Sequence, residues 1–460
     1  MRTAFKPVAG SIVAPRGFLA SGVFCDIKRL GTGKGSDKGR KRDLALIMSE
    51  VPAAVAGMFT TNQVCAAPVR VCLPRVARGT ARAIVVNSGN ANACTGRQGL
   101  KDAVKMAGQA GQALSLPGPE VLVGSTGRIG VRLPMANVRA GIRQAAARLG
   151  NRPEHAAEAA EAILTSDTHP KAVAVEFMLS GRAVRLGGMA KGAGMIQPGL
   201  SATGRRPAAS PPHATMLCFL TTDAAIEAPA LQSALASAVA QSFNRITVDG
   251  DMSTNDTVLL LANGLAGNPT LTAADFRQVQ ARRRPASGPP RPGTADAHLF
   301  QAALDHVCLE LARMIVRDGE GVTRFVTVRV EGARTFAEAE AAARAVANSA
   351  LVKTSWHGGD PNWGRIMGAL GYSSAQVIED KVDIGYSPPG KPRIRWSLRR
   401  GQPARATFAQ LCAAVAPREF DLHVRLNLGH AAAVIYAADL TEAYVEFNKG
   451  DLADPAALGG

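Results

Sequence analysis

Short apolar runs that end in polar, glycine-rich turns recur along this chain. Ile84-Val85-Val86 leads into the segment from Asn87 to Gly96, Val121-Leu122-Val123 into Gly124 to Gly130, and Arg245-Ile246-Thr247-Val248 into Asp249 to Thr257. Each reads as a buried strand delivering backbone N–H groups and hydroxyls to a surface, and each alone is equally a well-capped turn. Alanine-rich stretches from Met135 to Leu149 and from His155 to Leu164 have the spacing of helices packed on one sheet face. The proline- and arginine-rich stretch 282–293 breaks the pattern and predicts a linker between an N-terminal lobe, 1–281, and a C-terminal lobe, 294–460. Beyond it the periodicity predicts a helix from Leu299 to Arg317, a half-buried strand from Phe325 to Val330 and a helix from Ala333 to Ala347. Further strands are expected near Val424 to Leu428 and Val434 to Tyr436, and no internal repeat is visible.

Composition narrows this picture to a turn-rich globular α/β protein, with 47% hydrophobic residues and 47 glycines in 460 positions. The most apolar N-terminal stretch, Ser11 to Phe24, is broken by Pro15 and Arg16, so no membrane span is expected and the chain reads as cytoplasmic. Seven scattered cysteines without a Cys-x-x-Cys pair predict neither a disulfide framework nor a zinc site. The net charge of +17 raises nucleic acid as a partner, but Lys34 to Arg42, Arg205-Arg206, Arg282 to Arg284 and Lys391 to Arg405 lie in flanks and loops. The first three clusters lack interleaved aromatic residues, so no nucleic-acid partner is expected, and the basic surface suits anionic metabolites.

The sharpest chemical candidate is Thr215, between the loop Lys191-Gly192-Ala193-Gly194-Met195-Ile196-Gln197-Pro198 and the apolar run Met216-Leu217-Cys218-Phe219-Leu220. A threonine hydroxyl attacks at neutral pH only with a base beside it, and a threonine that begins a chain has its own α-amine for that purpose. The same residues also fit the first β-branched position of a buried strand. Asp249, Asp251, Asn255 and Asp256 offer hard oxygen ligands, but the glycine and glutamate of a calcium loop are misplaced, and a structural turn is expected. Gly192 and Gly194 match neither phosphate-binding loop pattern, and His357 and Asp360 are expected only to shape a loop.

Taken together, these segments resemble the ornithine acetyltransferases, the bifunctional glutamate N-acetyltransferases of arginine biosynthesis. The resemblance covers nearly the whole chain. It is carried by Gly57 to Asn62 with Ala66 to Val69, the Asn87 to Gly96 turn, Ser125-Thr126-Gly127, Lys191 to Ile196, Ala214-Thr215-Met216-Leu217, the Asp249 to Thr257 turn, Arg317 to Gly321, and Gly359 to Ile366. It implies an α/β layered sheet-and-helix fold of the ornithine acetyltransferase type, in two lobes, cut by self-cleavage between Ala214 and Thr215 into an α chain (1–214) and a β chain (215–460). Thr215 is then the nucleophile of a ping-pong acetyl transfer from N2-acetylornithine to glutamate. Thr126 and Gly127 become the oxyanion-hole pair, through a hydroxyl and a backbone N–H. Lys191, Glu320, Thr165 and Asn448 become the substrate contacts, Lys191 meeting a carboxylate and Glu320 an ammonium. No metal or bound cofactor is implied, acetyl-CoA enters as a second donor in bifunctional members, and an α2β2 heterotetramer of the cleaved chains is expected.

Two departures from the family pattern stand out. The stretch from Gly199 to His213 sets Thr215 further from the lysine loop than in the family, and it contains a second Ala-Thr pair, Ala202-Thr203, followed by Gly204-Arg205 rather than Met-Leu. At the C-terminus, Ala453 stands where the family carries a serine or threonine that helps hold substrate. Two alternatives to the transferase accordingly stay open at the level of sequence: an amidase or aminopeptidase acting through the same threonine, and an uncleaved noncatalytic paralogue that binds amino acids.

Overall fold

A computed structural model describes residues 5–28, 41–205, 216–281 and 293–449. Two mixed sheets organise the chain. The larger has ten strands and runs in the order Lys6–Pro7, Lys171–Leu179, Arg182–Lys191, Leu217–Thr222, Thr257–Ala262, Leu44–Thr60, Thr80–Asn90, Val121–Arg128. The strands Phe18–Val23 and Leu200–Ser201 also pair with the long strand Leu44–Thr60. At its centre Leu217–Thr222 lies parallel to Thr257–Ala262 and antiparallel to Arg182–Lys191, so the residues that follow Thr215 pair with the strand that ends at Lys191.

Alternation along these central strands divides the core between the sheet's two faces, as a side-chain period of two requires. Leu217, Phe219, Leu259 and Leu261 join one apolar cluster, packed under the helices Ala67–Val76, Gly96–Leu114, Met135–Ala147 and Pro153–Ala162. Cys218, Leu220, Val258 and Leu260 join the opposite cluster, under Ala228–Gln241 and Thr294–Arg317. The central strands are thus apolar on both faces, which is why Met216 to Leu220 reads as one continuous hydrophobic run.

The second sheet has seven strands in the order Ile246–Thr247, Ala431–Ala438, Phe325–Ala333, Glu419–Arg425, Asp383–Ser387, Arg395–Arg399, Gln402–Pro403. Its core includes Trp356, Tyr386 and Phe420, beneath the helices Phe336–Asn348 and Ala350–His357. The two cores do not divide at the linker expected from the sequence, of which 282–292 lie outside the described residues. The helix Thr294–Arg317 packs on the first sheet through Phe300, Leu304, Val307 and Leu311, while Ile246–Thr247 pairs with the second. The helix carries a long buried stripe, from Ala297 to Val316, that needs a large apolar partner, and the first sheet supplies it.

Predicted elements are recovered with shifted ends: Phe325–Ala333 for the half-buried strand and Phe336–Asn348 for the helix after it. That helix starts three residues later than its periodicity suggests because Thr335 caps it, accepting the N–H of Glu338 at 3.2 Å.

Candidate functional site

The three strand-to-turn segments read from the sequence converge. Asn255 stitches them, its side-chain amide donating to the carbonyls of Ala91 at 2.7 Å and Ser125 at 2.8 Å. Ser125 in turn donates to Asn87 Oδ1 at 2.7 Å, and the strands Thr80–Asn90 and Val121–Arg128 run parallel, with Ser88 opposite Thr126. All these side chains are buried, so their hydrogen bonds must be met internally, and they fix the turns to one another. Gly127 has φ +126°, and a Cβ there would lie 2.3 Å from the carbonyl carbon of Gly89 and 2.6 Å from Asn90 N. Only glycine fits that crossing.

Lys191 ends its strand fully inside this assembly, with Nζ 3.3 Å from Thr126 Oγ1 and 3.9 Å from Asp167 Oδ2. The ammonium donates, so Thr126 accepts and keeps its own hydroxyl proton to offer elsewhere. Burial pulls the Lys191 amine below its ordinary value, and Asp167 opposes that pull most strongly. Asp167 itself feels burial first, which raises it, but Lys191, Lys171 and the N–H of Gly192 together outweigh burial and hold the carboxyl below the usual carboxylate range.

Backbone contacts bring Thr165 and Glu320 to the same loop, and a side-chain contact brings Asn448. Thr165 N donates to Asp167 Oδ2 at 3.1 Å, and Thr165 lines a cavity of about 560 Å³ with Lys28, Arg42, Glu161, Asp167 and Thr168. Glu320 N donates to Ala193 O at 2.9 Å, placing its carboxyl against Gly194. Asn448, just past the helix Glu442–Phe447, donates its amide to Glu320 Oε2 at 2.9 Å. Lys191 and Glu320 therefore flank one glycine loop with opposite charges, an arrangement suited to an amino acid that carries both a carboxylate and an ammonium.

Thr215 and Ala214 lie outside the described residues, as do 206–213 of the long stretch before them and Ala453. The described part of that stretch folds back on the first sheet, Leu200–Ser201 pairing with Phe59 and Thr60, and Thr203 Oγ1 accepts the N–H of Arg205 at 3.3 Å. The residue after Thr215 is described. Met216 N donates to Asp256 Oδ1, and Asp256 is fully buried.

Comparison with known proteins matches the sequence to a family. The sequence profile of the ArgJ family matches residues 22–450. The arginine biosynthesis bifunctional protein ArgJ of Symbiobacterium thermophilum is 46% identical over 442 residues, 96% of this chain and 98% of that protein. The protein of the same name from Geobacter sulfurreducens is 42% identical over 433 residues, 94% of this chain and 98% of its own length. The chain belongs to the ArgJ family. Among solved structures, an ornithine acetyltransferase complexed with ornithine from Mycobacterium tuberculosis is similar over 43% of this chain and 100% of its own, at 40% identity and a TM-score of 0.38.

Within this ArgJ framework, three acidic residues and one lysine matter that the sequence did not single out for the site. Asp167, Lys171 and Asp318 form a buried chain of ion pairs beside Lys191, and Asp256 holds the amide after Thr215. Lys171 and Asp318 are 147 residues apart, and no local pattern links them. The expected structural turn at Asp249 fixes the lysine loop, because its carboxylate accepts the N–H groups of Met195 at 2.6 Å and Ile196 at 2.8 Å.

Proposed function

We propose that this ArgJ-family chain is a self-processing acetyltransferase that moves acetyl from N2-acetylornithine to glutamate, giving ornithine and N-acetylglutamate in arginine biosynthesis. The single observation that best supports this reading is the contact between Lys191 Nζ and Thr126 Oγ1, which sets a substrate-anchoring cation beside an oxyanion donor in a buried site.

In the precursor, Thr215 Oγ attacks the carbonyl carbon of Ala214. The Ala214–Thr215 C–N bond breaks as the nitrogen takes up the hydroxyl proton, which frees the Thr215 α-amine and leaves an ester on Oγ, and water hydrolyses that ester to a new Ala214 carboxylate and the Thr215 hydroxyl. In turnover the same oxygen attacks the acetyl carbonyl of N2-acetylornithine, while the α-amine takes the hydroxyl proton and passes it to the departing ornithine nitrogen. The acetyl-threonine is then attacked by the amine of glutamate. Each tetrahedral intermediate places its oxyanion against the Thr126 hydroxyl and the Gly127 N–H. Lys191 and Glu320 orient the substrate through its carboxylate and ammonium, with Thr165 and Asn448 completing the pocket.

Acetyl-CoA as a second donor and the α2β2 assembly of cleaved chains rest on the family resemblance, and a cytoplasmic setting on the expectation of no membrane span. No described helix is long and apolar enough to cross a membrane.

Intact mass of the purified protein beside a Thr215→Ala variant tests the reading. Two fragments meeting at Ala214/Thr215 in the wild type, one chain in the variant, and acetylornithine–glutamate exchange only in the former are the expected results. An uncut wild-type chain, or a cut before Thr203, overturns the assignment of Thr215.

A further inference from the structure

A fully buried lysine that touches none of the assigned substrate groups sits at the junction of the segments that carry them. Lys171 Nζ donates to Asp167 Oδ1 at 2.6 Å and to Asp318 Oδ2 at 2.5 Å. Asp167 Oδ1 also accepts the N–H of Gly192 at 2.6 Å, directly after Lys191, and its Oδ2 accepts the N–H of Thr165 at 3.1 Å. Asp318, two residues before Glu320, accepts the N–H of Thr168 at 3.1 Å and the Thr168 hydroxyl as well. His169 Nδ1 lies 3.1 Å from Asp318 on the exposed side. We propose that Lys171 is a positioning residue of the substrate pocket: one ammonium that, through Asp167 and Asp318, locks the segments bearing Thr165, Lys191 and Glu320 into register and sets the charge balance around Lys191.

The charge count supports the role. Two lysines, 171 and 191, face two aspartates, 167 and 318, with the Lys171, Asp167 and Asp318 side chains nearly inaccessible. Such a cluster is tolerated in a protein interior only when each charge is paired. Around Lys191, Asp167 and Glu320 favour its charged form, while burial and Lys171 disfavour it. Removing Lys171 therefore leaves Asp167 to Lys191 alone, draws Lys191 away from Thr126, and strengthens its hold on its proton.

The inference rests on the proposed function for its substrate, and an NMR readout makes it testable without turnover. Lysine side-chain signals of labelled protein would follow the Lys191 titration, with Lys191→Met identifying the signal. Lys171→Met leaves a buried carboxylate unpaired and risks misfolding, so the Lys171→Met/Asp318→Asn double variant, which removes one charge of each sign, accompanies it. The Lys191 midpoint is expected to rise in both, and to fall in Asp167→Asn. In the reverse exchange, with N-acetylglutamate as donor and ornithine as acceptor, KM for the donor rises by about tenfold or more in the double variant while kcat changes little. A Lys191 midpoint unmoved in the double variant and in Asp167→Asn, both folded, overturns the proposal and leaves Lys171 a structural ion pair. A wild type without exchange activity counts against the proposed function instead, and the NMR result still decides the role of Lys171.

Discussion

Lys191 Nζ lies 3.3 Å from Thr126 Oγ1, across 65 residues of sequence and inside the larger sheet. Because the ammonium can only donate, the hydroxyl is an acceptor toward the lysine and a donor toward anything placed on its other side. A cation at one end of a hydroxyl also strengthens the bond that hydroxyl makes to a developing anion, most of all where water is excluded.

Thr126→Ala should accordingly slow acetyl exchange by about 10²–10³, roughly 2.7–4 kcal/mol, while Thr126→Ser retains most of the rate. Self-cleavage generates the same kind of oxyanion, so the alanine variant should mature slowly as well. Steady-state exchange normalised to the cleaved fraction from intact mass separates the two effects. Full activity in Thr126→Ala would remove the hydroxyl from the oxyanion site.

Gly194 gives a test of the pocket that spares the fold. A Cβ built there meets the Glu320 carboxyl at 2.4 Å to Oε2 and 2.6 Å to Oε1, the far end of a flexible side chain. Gly194→Ala should displace that carboxyl without strain elsewhere, so the melting temperature stays close to wild type while KM for the amino-acid substrate rises about tenfold, the equivalent of about 1.4 kcal/mol. An unchanged KM would mean that Glu320 does not meet the substrate.

Much of this site was legible in the sequence because its parts are local. Thr126 and Gly127 follow the apolar run Val121 to Val123, which announces a strand delivering a turn, and Lys191 opens a glycine loop that carries the family resemblance. What was not legible depends on pairing between distant strands and turns. Nothing near Lys171 signals Asp318, and nothing near Asp256 signals Met216, because those contacts exist only once the fold brings together positions 147 and 40 residues apart in sequence. The packing partner of the helix after the linker was not legible for a similar reason. Proline and glycine mark a break in the chain, but the apolar stripe of Thr294–Arg317 decides which core the helix joins, and it joins the earlier one.

Asp256 permits a prediction about stability. Burial pushes its carboxyl well above the ordinary carboxylate value, opposed by backbone N–H groups that include Met216. An acid whose folded value is raised keeps its proton where the unfolded chain has lost it, so its contribution to stability falls as pH rises above about 4. Asp256→Asn keeps an acceptor for the Met216 amide and removes the ionisable group. It should be at least as stable as wild type at pH 7 and lose any advantage near pH 4. Asp256→Ala orphans a buried N–H and should cost about 1–3 kcal/mol. Urea melts of both variants at pH 4 and 7 check the pair of signs, and an Asn variant less stable at pH 7 than at pH 4, relative to wild type, would contradict a protonated Asp256.

Lys353 carries the opposite sign. It sits in the helix Ala350–His357, 3% exposed, with Nζ donating to Ala438 O at the end of the strand Ala431–Ala438. Burial lowers its amine to about 8, against the pull of Asp249 and Asp439. In the unfolded chain a lysine titrates near 10.4, so between roughly pH 8 and pH 10.4 the unfolded state binds more protons and stability from this group rises with pH. Below pH 8 both states are protonated and the burial penalty is felt in full. Lys353→Met has no such dependence. Wild type should therefore gain on the order of 2–3 kcal/mol relative to the methionine variant between pH 7.5 and 10, a gain that other titrating groups cannot mimic because both proteins share them. Parallel denaturant melts across that range supply the measurement, and a constant difference between the two proteins would mean that Lys353 stays charged inside the fold.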